Sequence, residues 1–243
     1  MRIAPLILLV LIVLTAILSW VGNVYDWGLH NLLDAEGLRW AFTHVLSNLR
    51  QSPWAEIVLG LSALSIVMES GLMQVFTSRF WQKDRRSLRK LRALQITSVV
   101  ALLFVVCALY FVLVPTSPLL SAFGRFSQSP FYYGLYPYIL LSMAVVAATY
   151  GYASGRFLSF GDMVQALVAL PVGIASYFVT LFMASQFIAC LHYVLDVPLP
   201  TLSLMLNGES PMADGLWPML CCLYLAVYFI PLITSVLKYY VKQ

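Results

Sequence analysis

The chain has 243 residues, of which 61% are hydrophobic and 10% charged, and its formal net charge is +4. Soluble domains carry roughly 25% charged residues, and fourteen Lys and Arg with ten Asp and Glu cannot cover a soluble surface of this size. Lipid is therefore the solvent for most of the surface, and the positive balance, gathered mainly in one short loop, is not a nucleic-acid signature.

The first apolar run, Ile3 to Val21, follows a single charge, Arg2. A signal peptide would begin in the same way. The run ends in Leu18-Ser19-Trp20 with no small-x-small cleavage pattern, so it reads as a retained span. Residues 22–53 are mixed. Asp34 can cap a helix with Glu36 in its first turn. Beyond it Leu38, Phe42, Val45, Leu46 and Leu49 share one helical face, with Arg39, Thr43, Ser47 and Arg50 on the other. Trp20, Tyr25, Trp27, Trp40 and Trp54 surround this segment, an aromatic enrichment typical of the membrane–water boundary. The expectation is a helix lying in the interface.

Five further spans follow, at about 54–76, 94–114, 135–153, 164–195 and 215–237. The stretch 164–195 is too long for one straight crossing: about thirty residues at 1.5 Å each give on the order of 45 Å against a ~30 Å hydrocarbon core. Pro171 and Gly173 mark a break in it, and Pro218 and Pro231 interrupt the last span. Asp162 reads as a helix-start residue. The expected fold class is all-α: a single membrane domain over residues 1–243, a polytopic helix bundle of about six spans plus an interfacial helix, with broken helices.

Orientation follows from the basic residues. Between Arg79 and Arg92 there are seven of them. With the N-terminus inside, Arg2, those seven, Arg156, Lys238 and Lys242 lie inside, and Arg39, Arg50 and Arg125 outside, eleven against three. The positive-inside rule then puts both termini in the cytoplasm, in a bacterial inner membrane. The basic run itself is a topology determinant that also touches anionic lipid.

Cys107, Cys190, Cys221 and Cys222 all fall in apolar runs without zinc-like spacing and read as lipid-facing or packed thiols. No Ser-His-Asp set, phosphate loop, haem motif or metal cluster appears, which argues against an enzyme and calls for neither cofactor nor metal. Glu69 stands deep in an apolar run. A carboxylate at membrane depth costs at least ~2.5–3.5 kcal/mol unless paired, protonated or wetted. It reads either as a proton- or cation-coupling group or as an end-of-span carboxylate paired with Arg79 or Lys83. Gln186 and His192 could line a polar path; the plainer reading of His192 is an interfacial histidine at the outer end of its span.

Two ordered blocks carry a family resemblance. The first is Asn31-Leu32-Leu33-Asp34-Ala35-Glu36-Gly37-Leu38-Arg39-Trp40, then Asn48, Ser52-Pro53 and Val67-Met68-Glu69-Ser70-Gly71-Leu72. The second runs from Ser129-Pro130-Phe131 through Tyr150-Gly151-Tyr152, Asp162-Met163-Val164 and Ala175-Ser176-Tyr177 to Ala184-Ser185-Gln186-Phe187-Ile188-Ala189. Together they resemble the p-aminobenzoyl-glutamate transporter (AbgT) family. The resemblance implies a transporter fold and a homodimer. It also implies a small organic anion as substrate and a proton or sodium as coupling ion. Glu69, Gln186, His192 and Asp214 are then the candidate path residues. Family members are about twice as long, so this chain reads as a shortened member lacking the central part between Leu72 and Arg85. Asp214 is what remains of the family's Asp-Ser-x-Thr-Asn motif. Those losses support the alternative of a non-transporting relative that serves as a membrane scaffold or partner subunit.

Overall fold

The structure is a computed structural model, and it describes residues 3–76, 88–113, 129–197 and 216–241. Every regular element among them is helical: α1 Ala4–Val24, α2 Ala35–Thr43, α3 Val45–Gln51, α4 Trp54–Glu69, α5 Met73–Phe76, α6 Leu88–Leu113, α7 Pro130–Tyr133, α8 Leu135–Ser154, α9 Phe160–Gly173, α10 Ser176–Leu195 and α11 Leu216–Val241. In hydrocarbon the backbone must satisfy itself, and helices do so within one segment. Five of these helices, α1, α6, α8, α10 and α11, are long and apolar enough to cross a membrane; a sixth crossing results if α3 and α4 count as one broken span. The expected all-α, polytopic bundle with broken helices is therefore what forms.

The chain divides into two compact units, residues 1–55 with 174–243, and residues 56–173. In the first, α10 is the central element. Half of its most apolar stretch is buried, against 17% for α1 and α11. Tyr177 and Tyr228 are buried, and the Tyr177 hydroxyl donates to the Tyr228 carbonyl at 2.9 Å. That carbonyl lies three residues before Pro231, and the bond ties α10 to the part of α11 that carries this proline. The buried Ser19 hydroxyl accepts the Leu32 N–H at 3.0 Å, and the His30 N–H donates to the Val194 carbonyl at 3.0 Å. The loop before α2 is thereby stitched to α1 and to the end of α10.

The second unit packs Ile66, Val67, Ala147, Phe157 and Ala166 as its core. The buried Ser65 hydroxyl donates to the Ala166 carbonyl at 2.5 Å and accepts from the Leu170 N–H at 3.0 Å. Ala166 and Leu170 are one helical turn apart, so a hydroxyl from α4 is spliced into the ladder of α9 just before Pro171. At the other end of α9, the Asp162 carboxylate accepts the Leu158 and Ser159 N–H groups at 2.9 Å, and the Ser159 hydroxyl accepts the Asp162 N–H at 3.2 Å. This is a reciprocal cap, and it holds the Asp162 carboxyl below its usual range through the Leu158 and Ser159 amides. α6 is the most lipid-exposed span, with 6% of its most apolar stretch buried.

Several expected boundaries move. The second span ends at Glu69, not near 76, because Gly71 turns into the left-handed region at φ 79° and a separate short α5 follows. Pro171 lies inside α9, and the break comes at Ile174–Ala175. Pro218 interrupts nothing, since it falls in the first turn of α11, where no intrahelical donor is lost. The interfacial helix forms with its Asp34 cap, the carboxylate accepting the Ala35 N–H at 2.7 Å, but it splits at His44 into α2 and α3. Phe42 and Leu46, from the expected apolar face, are about 80% exposed at 80% and 78%, while Asn48 turns inward.

Candidate functional site

The polar cavity of the first unit is built from three short pieces and one span. The loop before α2 brings His30, α2 brings Trp40, the α2–α3 junction and α3 bring His44, Asn48 and Gln51, and the end of α10 brings His192, Tyr193 and Asp196. Together they line a cavity of about 270 Å³, near the lower end of the ~300–1,000 Å³ range of small-molecule sites. The chain has three histidines, and all three are here.

Rings form one wall. Trp40 stacks on Tyr193 with centroids 4.5 Å apart, Trp40 stacks on His44 at 5.3 Å, and His30 tilts against Tyr193 at 5.8 Å. Such pairs hold each other's rotamers and leave flat apolar surface beside polar edges. The His44 ring nitrogen Nδ1 lies 3.1 Å from the Trp40 carbonyl, which fixes that ring. The His192 Nδ1 atom is buried without a hydrogen-bond partner. Buried polar atoms are nearly always paired, so this nitrogen is an exception in the cavity wall. Asp196 closes α10 in the left-handed conformation at φ 51°, unusual for a residue with a side chain. Among the described residues that line the cavity, none is Lys or Arg.

Gln186 braces this cavity from behind. Its side-chain amide donates to the Val45 carbonyl at 3.0 Å and accepts from the Asn48 amide at 3.2 Å, which locks α3 onto α10. Of the four candidates read from the sequence, Gln186 and His192 thus share α10, one as a clamp and the other in the cavity wall. Glu69 belongs to the other unit, as the half-buried last residue of α4. Asp214 lies outside the described residues, as do Arg79 and Lys83, the partners considered for Glu69. His30, His44, Asn48, Gln51 and Asp196 were missed. The available signal was position: His30 and His44 fall in the boundary segment, and His192 at the boundary end of its span. Among the described residues, no group of three or more His, Cys, Asp or Glu is arranged to hold a metal ion. Cys190 is buried, Cys107 and Cys221 are half-buried and Cys222 is exposed, all as free thiols.

The family model of the AbgT putative transporter family matches the chain from residue 81 to residue 195. The matched segment, a little under half of the chain, runs from near the start of the basic run to the last residue of α10. The fold is similar to the crystal structure of the YdaH transporter of Alcanivorax borkumensis, with a TM-score of 0.67 at 16% identity, over 97% of this chain and 94% of that one. That structure is described as having an unusual topology. No curated protein matches the sequence. A multi-pass membrane protein with an AbgT-type fold is therefore established.

Proposed function

We propose that this chain is a secondary transporter of the bacterial inner membrane, with both termini cytoplasmic. In this reading it works as a homodimer and moves p-aminobenzoyl-glutamate or a related organic anion with a proton or sodium ion. The observation that supports this reading is the convergence of all three histidines, a Trp–Tyr stack and two carboxamide side chains on one cavity at the end of α10. An aromatic amide acid has a counterpart for each part there. Its ring lies against Trp40 and Tyr193, its amine donates to Asp196, and its carboxylates accept from the histidines and from Asn48 or Gln51. Histidine is the side chain that gains charge on mild acidification. With no Lys or Arg in the described lining, the histidines, Asn48 and Gln51 are the side chains there that can donate to an anion.

The test is uptake of radiolabelled p-aminobenzoyl-glutamate and related aromatic acids into proteoliposomes under an imposed proton or sodium gradient. Uptake by the parent that rises with an inward proton gradient, and is lost in the His30→Gln, His44→Gln, His192→Gln triple variant, is the expected result. A correctly inserted parent that moves none of the panel under either gradient overturns the proposal and leaves the scaffold reading.

A further inference from the structure

The second unit carries a concavity of another kind. A cleft of about 510 Å³ lies between α4–α5, α6 and α8, with Leu72, Ala101, Ala108 and Ile139 in its walls. The two side-chain hydroxyls that reach it are already used: Tyr138 donates to the Phe104 carbonyl at 2.6 Å, and Ser142 to the Ile139 carbonyl at 2.7 Å. A cleft with no free polar group has nothing with which to select a polar solute; its complement is a hydrocarbon chain.

One end of this cleft is strongly basic. Leu72 follows Gly71, and the Arg156 guanidinium lies so close over Gly71 that any Cβ there overlaps it. The Arg89 guanidinium lies in the same way over Gly155, the chain neighbour of Arg156. Both glycines are left-handed, at φ 79° and 80°. Only a residue without a side chain combines that conformation with that approach. The ends of α4 and α8 thus each seat an arginine, Arg156 over Gly71 and Arg89 over Gly155, with Lys90 and Arg92 on the first turns of α6. The carbonyl ends of the helices attract the guanidinium groups. Glu69, the last residue of α4, stands two residues before Gly71 in the chain, and neither arginine forms an ion pair with it or with any other described residue. Two exposed positive charges at the mouth of an apolar cleft leave one complement: a molecule with an anionic head and a long apolar tail.

We propose that this cleft holds an acyl chain of an anionic phospholipid whose phosphate is bound by Arg89 and Arg156. The inference is independent of the transport reading. Native mass spectrometry of the full-length protein, delipidated in detergent and given equal amounts of phosphatidylglycerol and phosphatidylcholine, tests it directly. At about fivefold per arginine, a roughly thirtyfold preference for phosphatidylglycerol is expected. Arg89→Gln with Arg156→Gln should abolish the preference, and Arg89→Lys with Arg156→Lys should retain most of it. Ala108→Trp, which fills the cleft, should lower lipid retention without touching a charge. Leu141→Trp, in the apolar cleft of about 480 Å³ on the opposite face of α8, should not. Equal retention of the two lipids by the parent overturns the proposal even if no variant can be made. So does an undiminished preference in the Gln variant, or a second copy of the chain, in place of lipid, displaced by Ala108→Trp.

Discussion

Replacing Gln186 with Leu removes the clamp between α10 and α3 while keeping an apolar side chain of similar length. Both of its hydrogen bonds to α3 are lost, the 3.0 Å bond to the Val45 carbonyl and the 3.2 Å bond from Asn48. Interhelical hydrogen bonds in membrane proteins average about 0.6 kcal/mol and reach about 1.7. Stranding the Asn48 amide, which is buried, adds to that. A total of about 1–3 kcal/mol follows, and for a chain of this size it lowers the melting temperature by roughly 3–10 °C. The assay is thermal unfolding in detergent, followed by tryptophan fluorescence, with Asn48→Leu and the double variant measured alongside. Because the two side chains share a bond, the double variant should cost clearly less than the sum of the singles. A Gln186→Leu protein that melts with the parent, or strictly additive costs, refutes the clamp and returns Gln186 to the role of a group that merely lines a path.

Ser65→Ala withdraws the hydroxyl spliced between Ala166 and Leu170 and should cost about 1–3 kcal/mol, with faster amide exchange at Leu170; unchanged exchange there means α9 closes its own ladder equally well. Glu69→Gln separates two readings of that carboxylate. Coupled transport should be lost if it serves the ion path, whereas an exposed boundary pair is worth at most about 1 kcal/mol and its loss should leave uptake intact. The cap of α9 should be acid-sensitive. The folded Asp162 carboxyl sits below its usual value because the Leu158 and Ser159 amides hold its charged form, so its contribution is complete above the unfolded value of about 3.9 and disappears as pH falls through the folded one. Amide exchange at Leu158 and Ser159 should accelerate across that acid range, and Asp162→Asn should remove the acceleration.

The spans were legible because lipid imposes one rule on every residue they contain, and a run such as Leu94 to Leu113 has no alternative to a buried-ladder helix. Local chemistry was legible where a residue acts within its own turn, as Asp34 and Asp162 do. What escaped was set by partners far along the chain. The early end of α4 depends on Gly71 being needed under Arg156, and the opening near Pro171 on a serine a hundred residues earlier. Pro218 was misjudged because its effect depends on its position in the helix, which the sequence leaves undefined by a residue or two. The cavity was hidden for a similar reason. His30, His44 and His192 are unremarkable singly, and only the stitching of the loop to Val194 and of α3 to Gln186 gathers them.

The contrast between α10 and α6 has a consequence for how this sequence can change over time. Along the exposed side of α6, replacing one apolar residue by another exchanges one lipid contact for another, and those positions should drift freely in sequence so long as they stay greasy. Along α10, residues such as Ala184 and Ala189 are buried, an added methylene in a packed core is costly, and natural variation there should be confined to near-isosteric exchanges. Homologues should therefore diverge fastest in the helix that looks most membrane-like and slowest in the one that looks least so, so that hydrophobicity alone is a poor guide to which span can be altered safely.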